Sequence, residues 1–128
     1  MWTYNGTEFN EDMIEDAVGF VYLIVNNDNR KHYIGKKLFT KSKQYQVKLK
    51  KKKKRVSSDW IEYVGSNVPL QEDINEGAVI TKTILHLCKS KGWMSWLETK
   101  EIINRDALRD ERYYNSWISC KIHAKHLT

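Results

Sequence analysis

Two short apolar runs, each carrying a tyrosine, lie on either side of a polar segment and constrain the fold more than any other feature of the chain. Residues 21–25 have the composition of a β-strand, and residues 32–35 begin a second one. The segment 26–31 between them is rich in Asn and Asp, which tolerate the left-handed backbone of a hairpin turn. The sequence therefore predicts an antiparallel hairpin.

The register of this hairpin decides whether its tyrosines can act together. If the connecting loop has an even length, Tyr22 lies opposite Gly35, and Tyr33 lies opposite Ile24. All four positions then share one face, because side chains alternate along a strand. Two hydroxyls would meet beside a glycine that leaves room for a ligand. An odd loop would separate the tyrosines, and an ordinary aromatic hairpin packed on a core is the structural alternative.

Positive charge is concentrated in one segment of the chain. Seven of the eight positions from Lys48 to Arg55 are basic, and without them the net charge of +6 would be −1. Because a run of like charges repels itself, we expect a solvated basic loop over about residues 41–57 rather than a helix or a strand. Such a loop binds phosphates, which indicates nucleic acid as the partner. The residues expected to bind it are Lys48, Lys50, Lys51, Lys52, Lys53 and Lys54.

Length and composition exclude several classes of protein. The chain has 128 residues, which suits a single domain over 1–128 with a core at about 19–120. No stretch has the apolar length of a membrane span, and the N-terminus lacks a signal-peptide pattern. Two cysteines do not make a disulfide framework, so a cytoplasmic protein is expected.

The second half of the chain predicts a helix, a third strand and another helix. Asn67 or Ser66 can cap a helix that ends near Gly77, residues 78–88 are rich in β-branched residues, and a helix is expected over about 95–108. With the hairpin, these elements predict an α+β fold with a small three-stranded antiparallel sheet flanked by helices and interrupted by the basic loop.

Glu98 lies in the second predicted helix and offers a hard oxygen ligand of the kind that Mg²⁺ or Mn²⁺ binds. Its alternative role is structural, since Ser95-x-x-Glu98 is also a capping box in which the glutamate bonds a backbone N–H. Glu101 is the reserve candidate in case the predicted helix start is misplaced by a turn. Cys120, His123 and His126 are spaced more tightly than a zinc finger, and surface histidines with free thiols are expected there instead.

The hairpin resembles the signature of the GIY-YIG nuclease superfamily, with residues 19–22 in place of the first triplet and residues 33–35 as the second. The order strand–strand–helix–strand–helix and the Tyr63-x-Gly65-Ser66 string are also similar to that family. The resemblance is greatest to small free-standing phage endonucleases related to homing enzymes. It implies a metal-dependent DNA endonuclease, with Mg²⁺ or Mn²⁺ as cofactor and, if phage-encoded, the host cytoplasm as its location.

The resemblance also implies roles for individual residues. Glu98 would bind the metal ion, and Asn115 would hold Glu98 or the backbone in place. Tyr22 or Tyr33 would contact the attacking water, with one of them as general base.

The catalytic cation of the family has no clean match in this chain. The family uses an arginine after the second strand or a lysine directly after the second triplet, which nominates Lys36 or Lys37, and alternation favours Lys37 for the tyrosine face. Arg55 is the nearest arginine in the chain. Lys36 is otherwise expected to bind nucleic acid.

Two other functions fit the same residues. A catalytically silent nucleic-acid-binding module would keep the sheet and the lysines, and a partner-binding protein would have no affinity for DNA. One active site cuts one strand per event, so a double-strand break would need a homodimer on DNA or two successive nicks.

Overall fold

The computed structural model describes residues 1–128 and shows seven strands, two α-helices and two short 3₁₀ helices. The elements in chain order are β1 Trp2–Tyr4, β2 Thr7–Glu8, a 3₁₀ turn at Glu11–Met13, β3 Gly19–Asn26, β4 His32–Leu38, β5 Thr40–Val47, β6 Lys50–Ser57, α1 Val68–Asn75, β7 Ile80–Cys88, α2 Lys91–Asn104 and a 3₁₀ turn at Ala124–Leu127. Neither α-helix has the length and apolar character needed to cross a bilayer.

The main sheet has five strands in the order β2-β1-β7-β3-β4. The three predicted strands β3, β4 and β7 pair antiparallel, with β3 between the other two. The expected three-stranded sheet was too small, because β1 adds to β7 in parallel and β2 adds to β1. Trp2 explains the extension, since its side chain is buried in the core and holds β1 against the sheet. The sheet therefore begins before the expected core of residues 19–120.

The hairpin of β3 and β4 has the predicted register. Tyr22 lies opposite Gly35, and Ile24 lies opposite Tyr33. The Asn26 side-chain oxygen accepts a hydrogen bond from the backbone N–H of Asp28 at 2.9 Å and so stabilises the turn. The even-length loop is thus confirmed.

The basic segment forms a hairpin, and the prediction of a loop was wrong. β5 and β6 pair antiparallel as a separate two-stranded sheet. Strand alternation sends successive lysines to opposite faces, and the neutral Gln44 and Gln46 lie opposite Lys53 and Lys51. The lysine side chains are exposed, so water screens their repulsion.

Each face of the main sheet covers a hydrophobic core. Phe20, Tyr22 and Ile24 project to one face and pack with Leu70 of α1. Val21 and Ile34 project to the other face, where α2 packs on them. This alternation is the period-two pattern of a sheet that is buried on both sides.

The second helix begins four residues earlier than predicted. Ser90 caps α2, because its side-chain oxygen accepts a hydrogen bond from the Trp93 N–H at 3.1 Å. Ser95 lies inside the helix, so the capping-box interpretation of Ser95 and Glu98 was wrong. The helix also ends at Asn104 rather than near residue 108. α1 agrees with its prediction, with Asn67 as the cap and Leu70 fully buried.

Candidate active site

A cavity of about 340 Å³ lies beside the edge strand β4 and brings together five of the residues that the sequence nominates. They are Tyr22, Tyr33, Lys36, Glu98 and Asn115. Serine hydroxyls, the Asn67 amide and the exposed ring of Trp117 complete much of the wall. The cavity is therefore polar on several sides.

Residues from both faces of the sheet reach this cavity. Tyr22 and Tyr33 belong to the face that packs on α1, whereas Lys36 lies opposite Val21 on the face that packs on α2. Gly35 allows the Tyr22 side chain to reach the cavity, because a Cβ at this position would overlap the ring and hydroxyl of Tyr22. The Tyr22 hydroxyl can thus lie against β4, whose outer edge beyond Ile34 is open to both faces.

Glu98 projects from α2 into the cavity with 16% of its side chain exposed. Burial raises the pKa of this carboxyl, and the positive charge of Lys36 acts in the opposite direction. The Lys36 Nζ lies 4.0 Å from the carboxylate and donates a hydrogen bond to the Ser95 hydroxyl at 2.8 Å. Since Ser95 is three residues before Glu98 on α2, one helix face holds both the lysine and the carboxylate.

The two tyrosines are neutral hydrogen-bond donors at pH 7. Burial raises the pKa of Tyr22 well above its ordinary value, and the nearby phenols of Tyr33 and Tyr63 raise it further. Burial also raises the pKa of Tyr33, against which a hydrogen bond with Ser66 acts. A general base near neutral pH needs the opposite shift, which neither phenol has, and the Ser66 hydroxyl opposes the upward shift at Tyr33 alone.

Asn115 pairs with the backbone of β4 rather than with Glu98. Its Oδ1 accepts from the Ile34 N–H at 3.0 Å, and its Nδ2 donates to the Ile34 carbonyl at 2.9 Å. The preceding segment also pairs with β4, because the His32 N–H donates to the Arg112 carbonyl and the Tyr114 N–H donates to the His32 carbonyl. The asparagine thus fixes the strand that carries Tyr33.

Lys37 is not brought into the cavity, although alternation places it on the tyrosine face as expected. Its Nζ binds the Asp59 carboxylate at 2.6 Å and lies 4.1 Å from the centre of the Tyr63 ring. Lys36 is the cation that lines the cavity, and it arrives from the opposite face. Sequence alternation could not find it, because at an edge strand both faces reach the same space.

Arg55 and the lysine run are also not brought into the cavity. The Arg55 guanidinium is held within the β5–β6 hairpin, where Nη2 donates to the Thr40 carbonyl at 2.7 Å and Nη1 donates to the Ser42 hydroxyl at 3.0 Å. The remaining predicted phosphate-binding residues lie in the exposed hairpin; they are Lys48, Lys50, Lys51, Lys52, Lys53 and Lys54.

Seven wall residues were not predicted from the sequence as site residues. Three of them, Ile34, Asn67 and Ile102, were assigned only to a strand, a helix cap and a helix. Ser66 belongs to the Tyr63-x-Gly65-Ser66 string, which indicated only the approach to α1. Ser116, Trp117 and Ser119 follow Asn115 in a segment without helix or strand, and no local pattern marks them.

The donor set of the cavity fits a hard divalent cation. The Glu98 carboxylate, the tyrosine and serine hydroxyls and the amide oxygens offer only oxygen ligands, and no His or Cys lines the wall. A single carboxylate suits Mg²⁺ or Mn²⁺, which keep several water or phosphate ligands. Nowhere do three His, Cys, Asp or Glu residues cluster as a closed metal cage.

One comparison with known proteins gives a match. A family model described as "Putative endonuclease segE, GIY-YIG domain" matches residues 2–118, a range that includes every strand and both α-helices. No curated protein and no solved structure matches the chain significantly.

Proposed function

This chain belongs to the segE GIY-YIG domain family, a family of nuclease domains, and we propose that it is a DNA endonuclease that hydrolyses phosphodiester bonds with Mg²⁺ or Mn²⁺. The observation that supports this most directly is the convergence of Tyr22, Tyr33, Lys36 and Glu98 on one cavity. No single element could supply this set, since it comes from both faces of the sheet.

Glu98 would hold the metal ion, together with oxygen ligands from water and the scissile phosphate. When bound, such an ion polarises the phosphate and stabilises the departing oxygen. Glu98 must be ionised for this role, and the charge of Lys36 at 4.0 Å favours the ionised form.

Lys36 takes the place of the expected arginine. It is the cation on the cavity wall, and its charge can stabilise the negative charge that develops on the phosphate. Its bond to Ser95 keeps the ammonium group near Glu98 instead of free in solvent.

Tyr33 would face the attacking water. Because burial raises the pKa of Tyr33 and keeps its phenol neutral at pH 7, Tyr33 would act as a proton relay, which accepts the proton of the water as it passes its own proton to solvent. Tyr22 is almost fully buried, and its neutral hydroxyl would orient the water or a phosphate oxygen. Asn115 positions Tyr33 by holding the backbone of Ile34.

The test is nicking of supercoiled plasmid DNA with Mg²⁺ or Mn²⁺, beside an EDTA control and Glu98→Ala. We expect metal-dependent nicking that falls about 100-fold or more in the variant. Glu101→Ala is the matched control, because Glu101 lies on the same helix but pairs with His86 and Arg105 outside the cavity.

Two outcomes would contradict the proposal. Equal losses in Glu98→Ala and Glu101→Ala would mean that the cavity carboxylate has no special role. Salt-sensitive DNA binding without cleavage by the unaltered protein would instead support the silent binding module.

The number of strands cut is a further part of the proposal. The chain carries one such cavity, so we expect nicked circles to precede linear DNA. A double-strand break would come from a homodimer on DNA or from two successive nicks. A linear product that rises with the square of protein concentration would indicate the homodimer.

A further inference from the structure

We propose that the β5–β6 hairpin is an arm that binds DNA with one of its two faces. The phosphate backbone would run along this face away from the cavity that Glu98 lines, called here the active cavity. The inference rests on the proposed function, since it takes DNA as the substrate. It concerns which side of the hairpin contacts the DNA, a distinction that a disordered basic loop would not have.

The register of the hairpin divides its side chains between two faces. Residues directly opposite each other in an antiparallel pair share a face, and alternate residues along each strand do the same. One side, called here the lysine face, carries Lys41, Lys43, Tyr45, Val47, Lys50, Lys52, Lys54 and Val56. The other side, called the amide face, carries Thr40, Ser42, Gln44, Gln46, Lys51, Lys53, Arg55 and Ser57.

The free positive charge is greater on the lysine face. It has five lysines, whereas the amide face has three cations, and one of these is Arg55, whose guanidinium bonds Thr40 and Ser42 within the hairpin. No acidic residue occurs between residues 40 and 57. Five lysines therefore face solvent without a carboxylate in their own segment.

The base of the hairpin lies next to the active cavity, and the cation it presents there belongs to the lysine face. A neighbouring cavity of about 320 Å³ is lined by Lys41 of the lysine face and by Thr40 of the amide face, together with Lys36. Lys36 in turn lines the active cavity. A line of positive charge thus runs from Lys36, beside Glu98, through Lys41 onto the lysine face, which is the path a bound DNA strand would take.

The dimensions of the hairpin suit a duplex. Each strand has eight residues, or about 27 Å at 3.4 Å per residue, which equals the length of about eight base pairs. A two-stranded β-ribbon is also narrow enough to enter a major groove. The ring of Tyr45 lies on the lysine face and is 38% exposed, so it can contact sugars or bases beside the phosphates.

The test compares two triple variants of β6 that remove the same number of charges from the same strand. The first variant replaces Lys50, Lys52 and Lys54 by Gln and so removes the β6 charges of the lysine face. The second replaces Lys51, Lys53 and Arg55 by Gln and so removes the β6 charges of the amide face. Both are made in the Glu98→Gln background, so that binding of a labelled duplex of about 20 base pairs is measured without cleavage.

The expected result is a difference in salt dependence. The slope of log K against log salt changes by about 0.9 for each phosphate that the protein no longer neutralises, so the slope should fall by about 2.7 in the lysine-face variant and by much less in the amide-face variant. Lys→Arg at the same three lysine-face positions should restore the slope, which separates the removal of charge from a misfolded hairpin.

Equal slopes for the two triple variants would overturn the inference, because a loop without faces predicts that result. A larger fall in the amide-face variant would overturn it as well. These outcomes are distinguishable from a failure of the proposed function, which is read from metal-dependent nicking by the protein with Glu98 intact.

Discussion

Glu98 is a carboxylate held where burial opposes its charge. Only 16% of its side chain is exposed, and its pKa is raised although Lys36 lies 4.0 Å away. An ionised carboxylate in such a site stabilises the folded chain less than a neutral group of the same shape would. The negative charge that the proposed function needs at Glu98 therefore lowers the stability of the fold.

Glu98→Gln should melt at a higher temperature than the unaltered protein at pH 7. The folded pKa is raised above the unfolded value, so the contribution of this carboxyl to stability is present below about pH 4.3 and is lost as the pH rises through the folded pKa. The gain should be a few degrees at pH 7 and should vanish below about pH 4. Thermal unfolding followed at several pH values measures it, and a gain that persists in acid would contradict this explanation.

Lys36→Met should move the acidic limb of the nicking activity to higher pH. The lysine charge lowers the pKa of Glu98, so its removal raises that pKa further and leaves less of the ionised form. Lys37→Met is the control, because Lys37 pairs with Asp59 on the other face of β4. The pH dependence of nicking rates decides the matter, and equal shifts in both variants would oppose a specific role for Lys36.

At the residue scale, the sequence could predict what depends on local spacing. The facing of Tyr22 and Gly35 follows from an even loop and strand alternation, and the structure confirms it. Lys36 could not be preferred over Lys37 in this way, because the choice depends on Asp59, which lies 22 residues beyond Lys37 in the chain and binds it in the fold.

At the scale of the element, the chain around Tyr114 covers the outer edge of β4 from His32 to Ile34. The backbone of His32 pairs with residues 112 and 114, and the Asn115 side chain then replaces a strand by bonding both backbone groups of Ile34. The covering stops there, which leaves the edge beyond Ile34 open to the cavity.

Asn115→Ala should destabilise the protein by about 2 kcal/mol or more, because it leaves a buried N–H and a buried carbonyl of Ile34 without partners. Nicking activity should fall with it, since Tyr33 is the neighbour of Ile34. Urea unfolding gives the free energy. Asn104→Ala, at an exposed position, should stay within about 0.5 kcal/mol of the unaltered protein, and a similar cost at both sites would contradict the assignment.

Element type and order were easier to predict from the sequence than the ends of elements. The third strand and α1 follow from composition and caps, but Ser90 and Ser95 are both good helix starts, and packing of Met94 under the sheet decides for Ser90. The basic hairpin escaped prediction for another reason. Charge repulsion is visible in the sequence, whereas the compensating strand pairing with 40–47 is not.

At the scale of the whole molecule, the first residues are part of the same core as Tyr22 and Tyr33. Trp2 is 2% exposed, its indole N–H donates to the Trp60 carbonyl at 2.7 Å, and its ring lies 5.3 Å from that of Tyr22. The strand that carries Trp2 could not be predicted from the residues around it. It depends on a parallel pairing between β1 and β7, which lie about 80 residues apart in the chain.

Trp2→Ala should cost about 3–5 kcal/mol of folding free energy, the range for loss of a buried aromatic ring. Trp117→Ala is the control, since that ring is 72% exposed and its removal should be nearly neutral for stability. Chemical denaturation of both variants measures the difference. A small cost for Trp2 would mean that β1 is dispensable to the core.

The β5–β6 hairpin has two unpaired edges, because no third strand joins it on either side. An open edge of this kind is a template on which another copy of the chain could add its own strand, and natural sheets commonly block such growth with lysine. The lysines of β6 are therefore also expected to hinder the association of separate molecules through this ribbon. Neutralising them, whether by mutation or by a bound polyanion, would remove that protection, so the arm is expected to be most prone to self-association when its charge is masked.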